Sequence, residues 1–342
     1  MRQLGFKTPA YRLYAPWLHR LTRLRGWLDS RWHGGGPDEQ RELTNIYWDR
    51  YLASRFNEEA PALGGITADA MSTGARRSDR VFILGCGASI ARIDDASWQQ
   101  LALFDTIGVN YFYVHPFRPR YHLIEVGRSA EALAAVRDEL LNNPDRQHEI
   151  VYMQIRHLLN NDFVLNSAPG RPLLHCPPQR TRLYSPTTLP TRDQALLSRL
   201  LKRYYLATRE PLIHHSSNLD CAINFAVRQG YREICLLGVD LSGNQYFFDL
   251  PSDSPAFARA KAAIEADYRA CQWDRQPDQI HATANRAITD KLGCLTIGDY
   301  LQLVDQTVLK PNGIQLAVCN PQSLLVNHIA YRALDDALRH KG

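Results

Sequence analysis

The segment Arg80–Asn110 constrains the fold of this chain more than any other stretch. It reads RVFILGCGASIARIDDASWQQLALFDTIGVN. The apolar run Val81–Leu84 leads into the turn Gly85–Ser89, a polar helical stretch follows, and a second apolar run ends at Asn110. A short apolar run broken by Gly-x-Gly is typical of a buried parallel strand whose carboxyl end meets a loop. The segment therefore predicts a strand–helix–strand unit of a parallel α/β sheet.

The Gly-rich turn is the first candidate binding site. Glycines let a backbone approach a ligand closely, and a helix N-terminus offers N–H donors and the positive end of a dipole. We therefore expect Gly85, Cys86, Gly87 and Ser89 to bind a phosphate or a nucleotide sugar. The motif lacks the third glycine of the dinucleotide fingerprint. A strand–GxG–helix turn serves only backbone packing about as often as it binds a ligand.

Composition narrows the class of protein. The 342 residues are 45% hydrophobic and 22% charged, as in an ordinary globular protein. The formal charge of +5 is too small to predict a nucleic-acid partner. Seven cysteines without C-x-x-C or zinc-ligand spacing are typical of free thiols in a reducing compartment. The sequence shows neither the ~20-residue apolar run of a membrane span nor a signal-peptide core, so we expect a cytoplasmic protein.

Residues 1–35 combine Trp, Tyr and Leu with a cluster of arginines. Leu18, Leu21, Leu24 and Trp27 recur at three-residue steps, with arginines between them. One interpretation is a basic amphipathic helix that makes a peripheral contact with an anionic membrane face. The alternative is a helix packed on the main domain or on a second subunit of a homo-oligomer.

Strands and helices alternate from Arg80 onwards. The predicted strands are Val81–Leu84, Thr106–Val109, Tyr121–Glu125, Ile150–Gln154, Glu233–Leu237 and Ile314–Val318. The predicted helices include Ala130–Leu141, Leu196–Leu206, Asn218–Gln229 and Ala256–Ala270. This alternation predicts an α/β domain over residues 79–342, with a mostly parallel sheet covered by helices on both faces.

Three segments fall outside this regular pattern. Residues 1–78 are expected to form a helical basic extension and a linker, with a second helix over Asp38–Arg55. The many prolines of residues 157–210 predict a long irregular excursion, which would be a lid or a subdomain. Residues 245–280, approximately, are expected to contribute to the same lid.

Several polar residues follow predicted strands. Asn110 closes the second strand and Asp240 follows Glu233–Leu237. An apolar-periodic helix comes after Ser216, Ser217 and Asn218, one of which is expected to cap it. Ligands of open α/β sheets bind beyond the carboxyl ends of the strands, so these side chains are expected to meet on one rim. Taken alone, Asn110 could equally cap the following turn.

Tyr246 and His281 are two further candidates. Tyr246 lies in a loop beyond the strand rim, where its hydroxyl could bind a phosphate or its ring could pack in a lid. A lone histidine is usually a satisfied core or surface residue. The position of His281, between the Tyr246 loop and the last predicted strand, favours a catalytic role.

The order of these motifs resembles that of the bacterial sialyltransferases of glycosyltransferase family 42. The family reads G-N-G-P-S-L, C-N-Q-F, S-G-x-x-x-C-A, G-Y-x-E-I-Y-L-x-G-I-D, S-Y-A-F-D, H-S-x-x and C-P-x-S-L-L. The matching segments, in the same order over roughly residues 80–330, are Gly85–Ile90, Val109–Phe112, Ser216–Ala222, Gly230–Asp240, Gln245–Asp249, His281–Ala282 and Asn320–Leu325.

The resemblance implies a GT-A-like Rossmann domain with a lid. It implies transfer of a nonulosonic acid from a CMP-activated donor to a glycan or lipid-linked glycan, as in lipopolysaccharide or capsule biosynthesis. Transfer would invert the anomeric centre and need no metal and no cofactor besides the donor. His281 would be the general base and Tyr246 would stabilise the leaving phosphate. The turn residues would bind the donor together with Asn110, Ser216, Ser217, Asp240 and Ser323.

This chain departs from the family pattern at three places. Cys86 replaces the asparagine of the Gly-rich turn, and Ser242 replaces a second tyrosine. Extra chain, including Gly293–Gly313, follows His281, so His214 and His215 are the substitutes for the base.

Two alternative functions follow from these departures. Flagellin-modifying Maf proteins and archaeal-type pterin diphosphokinases share the GxGxS turn and the GxD motif at a strand end. The function of a nucleotide-dependent diphosphokinase or phosphotransferase is therefore an open alternative. The other alternative is a non-catalytic nucleotide-sugar-binding protein.

Overall fold

The structure is a computed structural model that describes residues 9–59, 66–67, 76–125, 129–154, 179–208, 211–270, 276 and 279–339. The strands of this part of the chain are β1 Ile66–Thr67, β2 Arg80–Leu84, β3 Asp105–Val109, β4 Tyr121–Glu125, β5 Ile150–Gln154, β6 Thr181–Tyr184, β7 Thr187–Thr188, β8 Ile213–His214, β9 Glu233–Leu237, β10 Gln315–Val318 and β11 Ala330–Tyr331. The helices are α1 Pro9–Trp32, α2 Pro37–Glu59, α3 Asp95–Leu101, α4 Ala130–Val136, α5 Gln194–Tyr204, α6 Asn218–Arg228, α7 Pro255–Ala270, α8 Arg286–Leu292, α9 Ile297–Val304 and α10 Leu334–Leu338.

One parallel sheet organises the domain. Its strand order is β1-β6-β5-β4-β3-β2-β9-β10-β11, and β7 and β8 form a separate parallel pair. Every pairing between its strands is parallel. The six predicted strands are present with ends shifted by at most one residue. The prediction of an α/β protein with a mostly parallel sheet is therefore confirmed.

Helices cover both faces of the sheet, because successive side chains of a strand point to opposite faces. Val81 and Ile83 of β2 belong to a core that includes residues of α5, α6 and α9. Phe82 and Leu84 belong to a second core that includes residues of α4, α7 and α10. Apolar packing on both faces explains why β2 reads as a continuous apolar run.

The chain reverses its direction of progression across the sheet beside β2. From β2 it proceeds outward through β3, β4, β5 and β6, and later returns to place β9 against the other side of β2. In an open α/β sheet such a switch point leaves a crevice beyond the carboxyl ends of the two diverging strands. The Gly85 turn follows β2 and Asp240 follows β9, so both border this crevice.

The expectation of an irregular lid over residues 157–210 is wrong for Thr181–Tyr184, which forms β6 within the main sheet. The predicted helix Leu196–Leu206 is present as α5, Gln194–Tyr204, and its buried leucines belong to the core. The strand was missed because TRLY is short and lacks an apolar run. Residues 157–178 lie outside the described residues. Of residues 245–280, Pro255–Ala270 is the regular helix α7.

The extra chain after His281 is also part of the core. Ile297–Val304 forms α9, and Tyr300, Leu301 and Val304 are fully buried. The insertion therefore adds a packed helix between the histidine segment and the last strands.

The N-terminal helices α1 and α2 pack on each other and are tied to the main domain. The Asp29 carboxylate accepts hydrogen bonds from Tyr47 at 2.6 Å and from Arg203 of α5 at 3.0 Å. Asp49 accepts from the backbone and the hydroxyl of Thr188, at 2.9 and 2.7 Å. No helix of the described chain is long and apolar enough to cross a membrane.

Glu233 at the start of β9 joins β2 to the C-terminal part of the chain. Its Oε2 accepts hydrogen bonds from Arg80 Nη2 and from Arg332 Nη1, both at 2.6 Å. Burial alone would raise the pKa of Glu233, but the hydrogen bonds from Arg332 and Arg80 outweigh it and lower the pKa below its ordinary 4.5. The carboxylate therefore stabilises the fold above this pH, and its contribution is lost as the pH falls through the lowered value.

We predict that Glu233→Gln lowers the free energy of unfolding near neutral pH by about 1–2 kcal/mol, a figure that allows for the partly exposed carboxylate. The difference from the parent protein should shrink below pH 4.5, where the parent carboxylate itself becomes protonated. Urea unfolding across this pH range measures both effects. Asp336→Asn, which removes the exposed Asp336–Arg339 pair, is the control and should change stability little. A pH-independent difference would show that the carboxylate charge is not the cause.

Candidate functional site at the sheet switch point

A cavity of about 160 Å³ lies at the switch point between β2 and β9. Its wall combines the turn after β2, the ends of β3 and β9, and the loops around residues 245 and 281. The lining residues are Gly85, Cys86, Gly87, Val109, Asn110, Tyr111, Ser217, Leu219, Gly238, Val239, Asp240, Leu241, Gly243, Gln245, Tyr246, Ile264, His281, Thr283 and Ile297. Most of the site residues predicted from the sequence line this cavity.

The two glycines of the turn are required by packing against the end of β9. A Cβ on Gly85 would lie 2.5 Å from the Gly238 oxygen, and one on Gly87 would lie 2.5 Å from Asp240 Oδ2. The amides of Gly85 and Gly87 donate to the carbonyls of Leu237 and Gly238, each at 2.8 Å. These amides are therefore used within the fold rather than directed at a ligand.

Asp240 occupies the place that the sequence suggested for a phosphate. The turn is followed by a short 3-10 helix, Ala88–Arg92. The amide and the hydroxyl of Ser89 donate to the Asp240 carboxylate at 2.9 and 2.5 Å, and Asn320 Nδ2 donates to it at 2.7 Å. The anion at this helix start is an internal carboxylate. The donors of Ser89 are therefore paired within the fold, while Gly85, Cys86 and Gly87 remain on the cavity wall.

Asn110 is held in a conformation that few residues adopt. Its φ of +51° lies in the left-handed region, which asparagine tolerates better than most side chains. Its Oδ1 accepts from the Glu125 amide at 3.1 Å and from Asn218 Nδ2 at 2.9 Å. With the carbonyl side of the amide occupied, Nδ2 remains as the donor that Asn110 can offer to a ligand.

Leu241 is the other non-glycine residue of the described chain with positive φ, at +61°. A branched side chain in this region carries a cost of about 1–2 kcal/mol. Its carbonyl accepts a hydrogen bond from the His281 amide at 3.1 Å. Both positive-φ residues line the cavity, and strain of this kind concentrates at functional sites.

His281 is positioned between Tyr246 and Thr283. Its Nε2 lies 3.2 Å from the Tyr246 hydroxyl and its Nδ1 lies 2.9 Å from the Thr283 hydroxyl. The Thr283 amide also approaches Nδ1, at 3.3 Å. All three residues line the cavity. The sequence did not predict a role for Thr283, although this residue follows the histidine by only two positions.

The loop that carries Tyr246 is docked on the Gly-rich turn. The Phe247 amide donates to the Cys86 carbonyl at 3.0 Å, and the Tyr246 ring stacks on Phe248 with centroids 5.2 Å apart. The Cys86 thiol itself donates to the Val109 carbonyl at 3.4 Å. Burial raises the pKa of this thiol, so it stays neutral and offers a ligand no thiolate charge.

The remaining predicted residues have structural partners or lie off the cavity wall. Ser217 caps α6, with its hydroxyl accepting from the Leu219 amide at 3.1 Å. The Ser323 hydroxyl donates to the Val239 carbonyl at 2.5 Å, and Ser323 is absent from the wall. Ser216 is also off the wall, and its hydroxyl is buried without a hydrogen-bond partner in the described chain. Ser242 is exposed and does not line the cavity.

The two substitute histidines do not reach the cavity. His215 is buried, with Nδ1 at 2.7 Å from the Leu189 oxygen and Nε2 accepting from the Leu295 amide at 2.9 Å. Burial lowers its pKa, so the ring is neutral. His214 is also buried, with its Nε2 3.8 Å from Glu125 Oε2. Among these three histidines, only His281 lines the cavity.

No group of three or more His, Cys, Asp or Glu side chains with metal-site geometry occurs in the described part of the chain.

Tyr111 is the second tyrosine on the cavity wall. Its hydroxyl donates to Asp267 at 3.1 Å, and burial raises its pKa well above the ordinary value.

Fold and geometry together define an open α/β protein with a cavity at its switch point. The chain matches no protein-family model and no curated protein. Its structural neighbours include Campylobacter sialyltransferases.

The sialyltransferase CST-II in complex with CMP is 16% identical, with a TM-score of 0.40 over 76% of this chain and 88% of that one. The monofunctional α-2,3-sialyltransferase Cst-I from Campylobacter jejuni is 12% identical, with a TM-score of 0.40 over 77% and 83%. CstII from Campylobacter jejuni with a substrate analogue is 15% identical, with a TM-score of 0.36 over 75% and 87%. Identities and TM-scores are low, so what this chain binds and catalyses has to be inferred from its own residues.

We predict that Asp240→Asn lowers the free energy of unfolding by about 1–3 kcal/mol, because charge-assisted hydrogen bonds from Ser89 and Asn320 are lost or weakened. Ser89→Ala should cost less, and the double variant should show coupling between the two positions. Denaturant unfolding of the four proteins measures this cycle. Unchanged stability of Asp240→Asn, together with a loss of ligand binding, would assign the carboxylate to the ligand instead.

Proposed function

We propose that this protein is a glycosyltransferase that transfers a nonulosonic acid from a CMP-activated donor to a glycan acceptor, with inversion and without a metal. The observation that carries the proposal is the Tyr246–His281–Thr283 array on the wall of the switch-point cavity. The ordered motifs of the sequence support the choice of donor. The strained backbone at Asn110 and Leu241 supports a functional role for the cavity.

His281 is the proposed general base. To accept a proton, one ring nitrogen must present a lone pair to the acceptor hydroxyl. The Thr283 hydroxyl, at 2.9 Å, can accept from a protonated Nδ1 and so leave the lone pair on Nε2, whereas the Thr283 amide, at 3.3 Å, can donate only to an unprotonated Nδ1. The base role requires the first of these tautomers, and Thr283 is the positioning residue that holds the ring. The general base would remove the acceptor proton as the hydroxyl attacks the anomeric carbon.

Tyr246 links donor binding to the availability of the base. A tyrosine hydroxyl has one proton to donate, and in this structure it lies 3.2 Å from His281 Nε2. A phosphate oxygen in the cavity would compete for that proton. Donation to the phosphate would stabilise the leaving group and release the Nε2 lone pair for the acceptor. The base would thus become available when the donor is bound.

Asn110 is the proposed donor-binding residue on the opposite wall. Its Oδ1 is engaged by Glu125 and Asn218, so its amide nitrogen is the group that would contact the nucleotide or sugar. The backbone of the Gly85 turn would form the floor. A glycan or lipid-linked glycan of lipopolysaccharide or capsule is the proposed acceptor, at the cytoplasmic side of the inner membrane.

A non-catalytic nucleotide-sugar-binding protein is the second candidate. Two observations favour it. The Cys86 side chain is engaged with Val109, and Ser242 lies off the cavity wall, so neither supplies the polar group of the family residue it replaces. This candidate shares the donor-binding predictions and lacks the catalytic ones.

We predict that CMP raises the melting temperature with EDTA present, because a ligand that binds only the folded state adds to its stability. The variant Asn110→Asp keeps the acceptor oxygen and tolerates the positive φ, but replaces the amide donor with a carboxylate. It should fold normally and lose at least about tenfold in CMP affinity, equivalent to one hydrogen bond to a charged group. A preference for ATP with strict magnesium dependence would favour the phosphotransferase.

We predict that His281→Ala lowers turnover by about 10²–10⁴-fold while CMP affinity barely changes, because a positioned base contributes that factor. Tyr246→Phe, which keeps the ring, should lower turnover by about 10²–10³-fold through the loss of one donor to the leaving phosphate. Turnover of a CMP-sugar with a panel of glycan acceptors, beside CMP titration, separates the two effects.

The control for these variants is His148→Ala, at an exposed histidine outside the cavity wall, which should keep full turnover. Near-normal transfer by His281→Ala would exclude the histidine as base. CMP binding without transfer to any acceptor, in the parent protein as in the variants, would favour the non-catalytic candidate.

A further inference from the structure

Helix α1 carries a stripe of large apolar side chains that faces solvent. Trp17, Leu21, Leu24, Leu28 and Trp32 are 57%, 42%, 52%, 54% and 87% exposed. Their spacing of four, three, four and four residues places them on one face of the helix. Trp27, 44% exposed, lies beside this stripe. Exposed apolar surfaces of this kind usually mark an interaction site.

The opposite face of α1, which packs on the rest of the protein, is small and polar. Gly26 and Ser30 are buried, and a Cβ on Gly26 would lie 2.6 Å from Thr44 Oγ1 of α2. Asp29 on this face binds Tyr47 and Arg203. An amphipathic helix normally turns its apolar face to the core. Here the packing within the chain uses the polar face, so the apolar stripe is left for an external partner.

Positive charge accompanies the stripe. Arg20, Arg23 and Arg31 are exposed and form no ion pair with any described residue. The one acid of α1, Asp29, is 12% exposed at its side chain and pairs with Arg203. The outward side of the helix therefore combines tryptophan, leucine and arginine without a neutralising carboxylate.

We propose that α1 is a membrane-docking helix that lies flat on an anionic lipid surface, with the stripe Trp17–Trp32 in the headgroup region. Tryptophan favours the membrane interface, and arginines beside an apolar face bind anionic headgroups. The helix has 24 residues, about 36 Å of length along the surface. This docking surface is independent of the proposed catalytic activity.

Charge distinguishes a lipid surface from a second copy of the chain as the partner. Two α1 helices packed through their stripes would bring Arg20 and Arg31 of one copy close to the arginines of the other. Repulsion between like charges opposes that contact, whereas anionic lipid removes it. The same charges predict that binding weakens with salt.

The test uses the full chain with vesicles of phosphatidylcholine, with or without about one third phosphatidylglycerol. The parent protein should co-sediment with the anionic vesicles and much less with the neutral ones. The double variant L24E/L28E should bind at least about tenfold more weakly, since each leucine loses its burial. The double variant R20E/R31E should lose the preference for anionic lipid.

The matched control is Leu103→Glu, at a leucine that is 61% exposed on the main domain. It should bind vesicles as the parent does, and circular dichroism should show all variants folded. Sedimentation velocity without lipid tests the second copy. Equal vesicle binding by L24E/L28E and the parent would overturn the proposal, as would a parent dimer that this variant dissociates.

Discussion

The hydrogen bonds to the Asp240 carboxylate hold the switch-point region of this protein together. They join the end of β9 to the turn after β2 through Ser89, and to the loop after β10 through Asn320. Three segments distant in sequence meet at one charged group. The glycines at 85 and 87 follow from this contact, since a side chain at either position would collide with β9 or with Asp240 itself. The shape of the switch-point cavity depends on it.

The contact with Asp240 occupies the hydrogen-bond donors that the Gly-rich turn presents at the helix start. A strand–GxG–helix turn suggests a phosphate at the helix start, because unpaired N–H groups and a dipole favour an anion there. The protein supplies its own anion at that position. Donors for a bound ligand must then come from other parts of the wall, and the geometry offers Asn110 and the Tyr246–His281 pair. Asn110 itself has positive φ, and the His281 amide bonds to the carbonyl of Leu241, the other positive-φ residue that is not glycine in the described chain.

The helices of the main domain bury their apolar faces, whereas helix α1 exposes its apolar face. In the domain, α5, α6 and α9 turn their apolar residues onto the sheet. Helix α1 instead packs through Gly26, Ser30 and Asp29 and leaves its tryptophans and leucines outside. A chain that already buries two large apolar cores has no need of that stripe for folding. An exposed stripe is better explained by a partner than by packing within the chain.

The sequence by itself determined the sheet, most of its helices and the rim on which the site lies. Buried parallel strands are continuous apolar runs, so β2, β3, β4, β5, β9 and β10 could be located within a residue, and polar residues after them had to share one edge. It missed β1, β6 and β11 of the same sheet. TRLY, for example, becomes a strand only by pairing with β1 and β5. Only the tertiary structure decided that the Asp240 carboxylate lies at the helix start, where the sequence suggested a phosphate, and that Ser89 donates to it. The same is true of the Ser323 hydrogen bond to Val239 and of the Thr283 contact with the His281 ring. Hydrogen-bond partners distant in the chain leave no periodic signal, because each depends on where the folded backbone brings two side chains.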